Sequence, residues 1–121
     1  MSDQEDKTMG AYTLDEPYVR EMIKKTEFQL EIIADLLSIA TREDILHAKV
    51  LSTLCDAYSS NYHLRRTLQV NLSCNLIEDE KTKQKIIILP DKDLTMLEQA
   101  IIARAYTAVE LAKLNYSLKI H

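Results

Sequence analysis

Glycine occurs once in this chain of 121 residues, at Gly10, and proline twice, at Pro17 and Pro90. These two residues supply the backbone conformations that tight turns most often need, so a chain this poor in them reverses direction rarely. It must be built from a few long elements. Leu, Ala, Glu and Lys are common in the rest of the sequence and lose little rotamer freedom in a helix, which makes those elements helices. A chain of this length supports one core rather than two. The expected fold is all-α: a single bundle of three long helices over residues 13–121, behind a flexible acidic tail over residues 1–12.

The helices can be placed by capping residues and apolar spacing. Asp15 can cap a first helix, Glu16 suits its positive end and Pro17 is tolerated in its first turn. Val19, Ile23, Thr26, Leu30, Ile33, Leu37 and Ala40 then recur at steps of four and three, a seam that keeps facing one partner up to about Ala40. Thr41 and Asp44 resemble a capping box, so a second helix is expected to begin there after a bend, the alternative being one continuous helix. Its apolar face is Leu46, Val50, Leu54, Ala57, Leu64 and Leu68, with an end near Thr67. A break at Ser59, Ser60 and Asn61 would turn three helices into four. Next, Val70, Leu72, Cys74 and Leu76 alternate with polar residues, which predicts a strand paired with Lys85–Leu89 in a short β-hairpin, or failing that a long loop before the last helix. The polar run Glu78 to Gln84 would be its tip. Pro90 and Asp91 open a last helix running to about Leu118, with Leu94, Leu97, Ile101, Arg104, Ala108, Leu111, Asn115 and Leu118 along one seam. Five alanines between 100 and 112 make this helix the expected centre of the bundle or of a dimer.

The net charge of −4 is localised. Residues 1–16 carry five acids against Lys7 alone, leaving fourteen basic and fourteen acidic side chains over residues 17–121. A neutral body has no global field to draw in nucleic acid or an anionic membrane, so any such surface must be local. The opening residues lack the basic, apolar and small-residue order of a secretory leader, and no apolar run approaches the ~18 residues of a membrane span. Cys55 and Cys74 are too few for a disulfide framework, and Cys55 falls among apolar neighbours where a core position is expected. A soluble protein of the reducing cytoplasm is the expectation.

Few residues suggest chemistry. Arg104 falls on an apolar seam, where a guanidinium is costly unless a carboxylate meets it; Glu27, Glu31, Asp35 and Asp56 lie on facing candidates. Asn115 on the same seam could set register or oligomeric state. Tyr62-His-Leu-Arg-Arg66 combines an aromatic that can stack on a base with arginines that can hold phosphates, and Lys81, Lys83 and Lys85 could extend it. Tyr62, His63, Arg65 and Arg66 with those three lysines are therefore the candidate nucleic-acid-binding residues. Arg42-Glu-Asp-Ile-Leu-His47 resembles the Arg-x4-His motif of HEPN-type ribonucleases, small helical proteins in which Arg and His meet at a dimer cleft to cleave a phosphodiester. Over its six residues the resemblance implies Arg42 on the phosphate and His47 moving protons. Glu43 and Asp44 set negative charge against such a phosphate, which favours a capped helix start with an ordinary histidine.

Asp44 and His47 could share an ion, but a bundle di-metal site needs a second such pair and further glutamates, so no metal is expected. With its only glycine in the tail, the chain has neither a phosphate-cradling loop nor a nucleophile elbow. No cofactor and no catalytic residue is expected. The sequence thus points to a non-catalytic protein–protein interaction or regulatory bundle, an accessory subunit whose helix faces or hairpin meet a protein partner or a second copy in a homodimer, with no membrane involved. The alternative is a small helical subunit of a ribonucleoprotein or nucleic-acid-processing complex that binds RNA or single-stranded DNA.

Overall fold

The computed structural model describes residues 12–119, which form strand β1 (Tyr12–Asp15), helix α1 (Glu16–Arg42), helix α2 (Ala48–Cys74), strands β2 (Leu76–Glu78) and β3 (Lys85–Leu89), and helix α3 (Asp91–Lys119). The acidic tail expected over residues 1–12 lies outside the described residues, except that Tyr12 opens β1. Three long helices and a short hairpin before the last one match the expected architecture. No helix among the described residues is long and apolar enough to cross a membrane.

The sevenfold steps in the first seam hold: Val19, Thr26, Ile33 and Ala40 are all buried on α1. Leu36 is fully buried in place of Leu37, which is exposed. Two apolar clusters result. Near the α1–α2 turn, Ile33, Leu36 and Ala40 meet Val50, Leu54 and Ala57 of α2 and Leu111 and Leu118 of α3. At the other end Val19 meets Leu64, Leu68, Leu97 and Ala100, with Ile87 and Leu89 of the sheet. Each fully buried Leu or Ile contributes about 1.5–3 kcal/mol. These pairings make α2 antiparallel to both other helices. They also put α2 at the centre, packed on α1 and α3, which touch each other less. The alanine-rich last helix was the expected centre. The connections decide otherwise: a five-residue turn holds α2 against α1, and the hairpin returns α3 to the other side of α2.

The first helix runs two residues past Ala40, and Thr41 caps nothing; its hydroxyl donates to the Leu37 carbonyl at 2.8 Å inside α1. Asp44 does not start a helix but finishes one. It stands in the left-handed region at φ 58°. Around it the Ile45 N–H donates to the Ala40 carbonyl at 2.9 Å and the Asp44 N–H to the Thr41 carbonyl at 3.2 Å. That pair of bonds is a Schellman ending, in which the left-handed position usually belongs to glycine. Ile45 then folds back onto the first apolar cluster, the contact that accompanies the motif.

Helix α2 is unbroken through Ser59, Ser60 and Asn61 and continues to Cys74, beyond the expected end at Thr67. The strand expected over Val70–Leu76 is therefore helix as far as Cys74. Packing overrides the alternation: Leu68, Asn71 and Leu72 follow helical spacing toward the core, while Val70 and Cys74, four apart, share an exposed face. Only the three residues of β2 remain extended, and they pair with β3 as Ile77↔Ile86 and Glu78↔Lys85. The other edge of β3 is taken by β1, through Thr13↔Ile88 and Asp15↔Ile86. This third strand went unseen in the sequence, where four residues ahead of a helix carry no period. It gives an antiparallel sheet of order β1-β3-β2, which is what a two-stranded hairpin needs for stability.

At the hairpin tip the Thr82 amide and hydroxyl donate to the Asp79 carboxylate at 3.2 and 2.7 Å. These donors, the hydroxyl first, hold Asp79 below its ordinary pKa. Because the folded value is the lower one, this carboxylate stabilises the turn above its unfolded-chain value and ceases to as pH falls through the folded value. The protection of the Thr82 amide, taken relative to its intrinsic exchange rate at each pH, should therefore fall on acidification through that range, and an Asp79→Asn variant should lose the response. At the other turn, Asp44→Gly should raise stability by about 0.5–1 kcal/mol in urea denaturation, since glycine carries no Cβ penalty at positive φ.

Candidate functional site

Between the two apolar clusters lies a polar layer, and Arg104 is at its centre. Its Nε donates to the side-chain oxygen of Asn61 at 2.8 Å. Asn61 is fully buried and is itself held, its amide nitrogen donating to the Ala57 carbonyl at 2.8 Å and reaching Gln29 of α1 at 3.5 Å. A turn away on the same layer, the hydroxyls of Ser60 and Thr107 lie 3.1 Å apart. Thr26, also fully buried, donates to the Ile23 carbonyl of its own helix at 2.7 Å. Ser60 and Asn61, expected as a break in the second helix, instead join it to its neighbours.

The carboxylate expected for Arg104 is not its partner. Among the described residues Arg104 forms no ion pair; Asp35 pairs instead with Lys119 of α3 at 2.9 Å. Glu31, Asp35 and Asp56 are exposed, and Glu27, half-buried, forms no ion pair with Arg104 either. Burial alone pushes the Arg104 pKa down, because desolvation disfavours its charged form. Arg104 is thus a half-buried cation oriented by a neutral amide. It lines a depression of about 280 Å³ between α1 and α3, together with Glu21, Lys24, Lys25, Phe28 and Gln29. Asn115, three turns further along the same seam, is half-buried toward the end of α3.

The Tyr62–Arg66 segment lies on one stretch of α2. Tyr62 already has partners on its ring: Tyr58 stacks on it at 5.9 Å between centroids, and the Arg65 guanidinium sits 5.7 Å from it. The Nε of Arg65 is buried and has no hydrogen-bond partner. His63 and Arg66 are exposed and share a groove with Tyr62, Asp93 and Met96. Lys81, Lys83 and Lys85 belong to the hairpin tip and the start of β3, and they do not line that groove. The candidate nucleic-acid residues therefore form two separate groups, the first with a carboxylate in it.

The Arg-x4-His motif straddles the α1–α2 turn. Arg42 ends α1 and His47 caps α2 in an extended conformation; both are exposed. Cys55, expected in the core, is exposed because Leu54 and Ala57 take the inward positions around it. No three His, Cys, Asp or Glu among the described residues converge on a metal-sized site.

A larger feature runs along α3. Ile102, Tyr106, Val109 and Tyr116 are 68, 76, 56 and 69% exposed and recur at steps of four, three and seven. They form a second seam facing away from the bundle. The three-four spacing read from the sequence follows the seam Leu94 to Leu118 and does not include these four residues. Beside the exposed seam an open groove of about 800 Å³ runs between α2 and α3, lined by apolar residues such as Met96, Ile102 and Tyr106 and by polar ones such as Asp56, Gln99 and Thr107. No protein-family model, no curated protein and no solved structure matches this chain.

Asn61→Ala would strand the Arg104 Nε without its acceptor. A loss of about 2–3 kcal/mol in urea denaturation is expected, whereas Asn115→Ala should change stability by less than about 0.5 kcal/mol.

Proposed function

We propose that this protein is a non-catalytic interaction module of the cytoplasm, an accessory or regulatory subunit that docks another protein chain on the outward face of α3. The observation that carries this reading is the seam Ile102, Tyr106, Val109 and Tyr116. Isolated exposed apolar residues are ordinary, but Ile102, Tyr106 and Val109 share one helical face, with Tyr116 a turn beyond the exposed Lys113 on the same line, and such clusters mark interaction surfaces. Two of the four are tyrosines, which present large rigid contact area at low entropic cost and are enriched at binding hot spots. The steps along the seam suit an opposing helix, whose side chains would interdigitate with it. That helix belongs to a protein partner or to a second copy of this chain.

The hairpin supports the reading less. Ile87 and Leu89 are fully buried and complete one of the two apolar clusters, so most of the hairpin serves the fold and only its tip is free. The nucleic-acid alternative draws less support than the α3 face, since Tyr62 spends its ring on Tyr58 and Arg65 and the hairpin lysines stand apart from it.

Ile102→Glu and Tyr106→Glu should leave helical circular dichroism unchanged, both sites being exposed, and should abolish recovery of a nuclease-resistant partner in affinity purification or lower the mass found by light scattering. Full partner recovery and unchanged mass in both variants would refute the docking face.

A further inference from the structure

The depression between α1 and α3 combines clustered cations with an exposed aromatic ring. Over a body with balanced charge it gathers Arg104, Lys24 and Lys25 against the single carboxylate of Glu21, an excess of two positive charges. The guanidinium is not a free surface group. Its Nε is tied to Asn61, which is fully buried and anchored in turn to Ala57 and Gln29. Orientation of the planar fork is therefore set before any ligand arrives, which lowers the entropic cost of using its remaining donors. Phe28, 63% exposed, lines the same depression and offers an apolar ring face next to the cations.

We propose that this depression binds a small phosphomonoester, with the phosphate on Arg104, Lys24 and Lys25 and the organic substituent against Phe28. Charge selects this ligand over a carboxylate. A phosphomonoester carries about −1.5 to −2 near neutral pH and matches the excess of two, whereas a carboxylate would neutralise half of it. Geometry agrees, because a guanidinium fork meets two phosphate oxygens at once while ammonium groups serve as adaptable point charges. The depression, about 280 Å³, is open to solvent, so it would hold the phosphate and one ring face while leaving the rest of the ligand exposed. The site lies between α1 and α3, and its occupation does not require the docking face proposed above.

The test is calorimetric titration of the full chain with phenyl phosphate, inorganic phosphate and benzoate, accompanied by NMR observation of the Arg104 Nε–H signal. Phenyl phosphate should bind saturably, more tightly than inorganic phosphate and at least about tenfold more tightly than benzoate, and should shift that signal. Lys24→Gln combined with Lys25→Gln, at exposed positions that leave the fold intact, should weaken binding about fivefold or more. Arg104→Gln should weaken it at least about tenfold, and Phe28→Ser should bring phenyl phosphate down to the level of inorganic phosphate. Absence of saturable binding at about 10 mM, equal affinity for benzoate, or undiminished affinity in the double lysine variant would each overturn the proposal.

Discussion

The bond from Arg104 to Asn61 is the constraint around which the bundle is arranged. It joins α3 to the central helix at the level where the two apolar clusters part, and Gln29 extends it to α1. Apolar contacts are non-directional and would tolerate a helix slid by one turn. A buried amide that has matched a guanidinium would lose its partner in any other register, at a cost of about 1–3 kcal/mol for each group left unsatisfied. One polar layer between apolar ones can thus specify alignment that the leucines and alanines only favour. The same bond explains why Ser60 and Asn61, residues that often interrupt helices, sit inside one: their polar groups are absorbed by the Ala57 carbonyl, Thr107 and Arg104.

A chain with almost no glycine must still turn, and it does so with side chains that tolerate the left-handed region. Asp44 and Lys83 are the two described residues other than glycine with positive φ, and each lies at a reversal. Asp44 ends α1 and turns the chain onto α2; Lys83 closes the hairpin next to the Asp79–Thr82 hydrogen bonds. Both positions carry a backbone cost that glycine would avoid. The short connections keep α2 between its neighbours, and this in turn leaves one long side of α3 without an internal partner.

That uncovered side and the basic depression lie on different parts of the bundle and differ in chemistry. One is an apolar stripe suited to an opposing helix; the other is a cluster of cations around an oriented guanidinium.

Much of the architecture was legible in the sequence. The start of α1, the extent of α3, the buried positions Val19, Thr26, Ile33 and Ala40, and the strand Lys85–Leu89 follow from capping residues and from periods of 3.6 and 2, which act within a few residues of chain. Arg104 stood out for the same reason, as a charge in an apolar register. What could not be read locally was decided by contacts between distant segments. Val70–Cys74 alternates like a strand yet is helical, because Asn71 is drawn inward to bond Asp93 of α3, and β1 exists because β3 offers it an edge. The partner of Arg104 is Asn61 rather than an acid, since the chain, forty-three positions on, returns to that level of the bundle. Sequence determined that three long helices form and which of their faces are largely apolar, through interactions a few residues long; only tertiary packing decided where the central helix ends and which faces meet, because burial and buried polar pairing depend on residues that are neighbours in space alone.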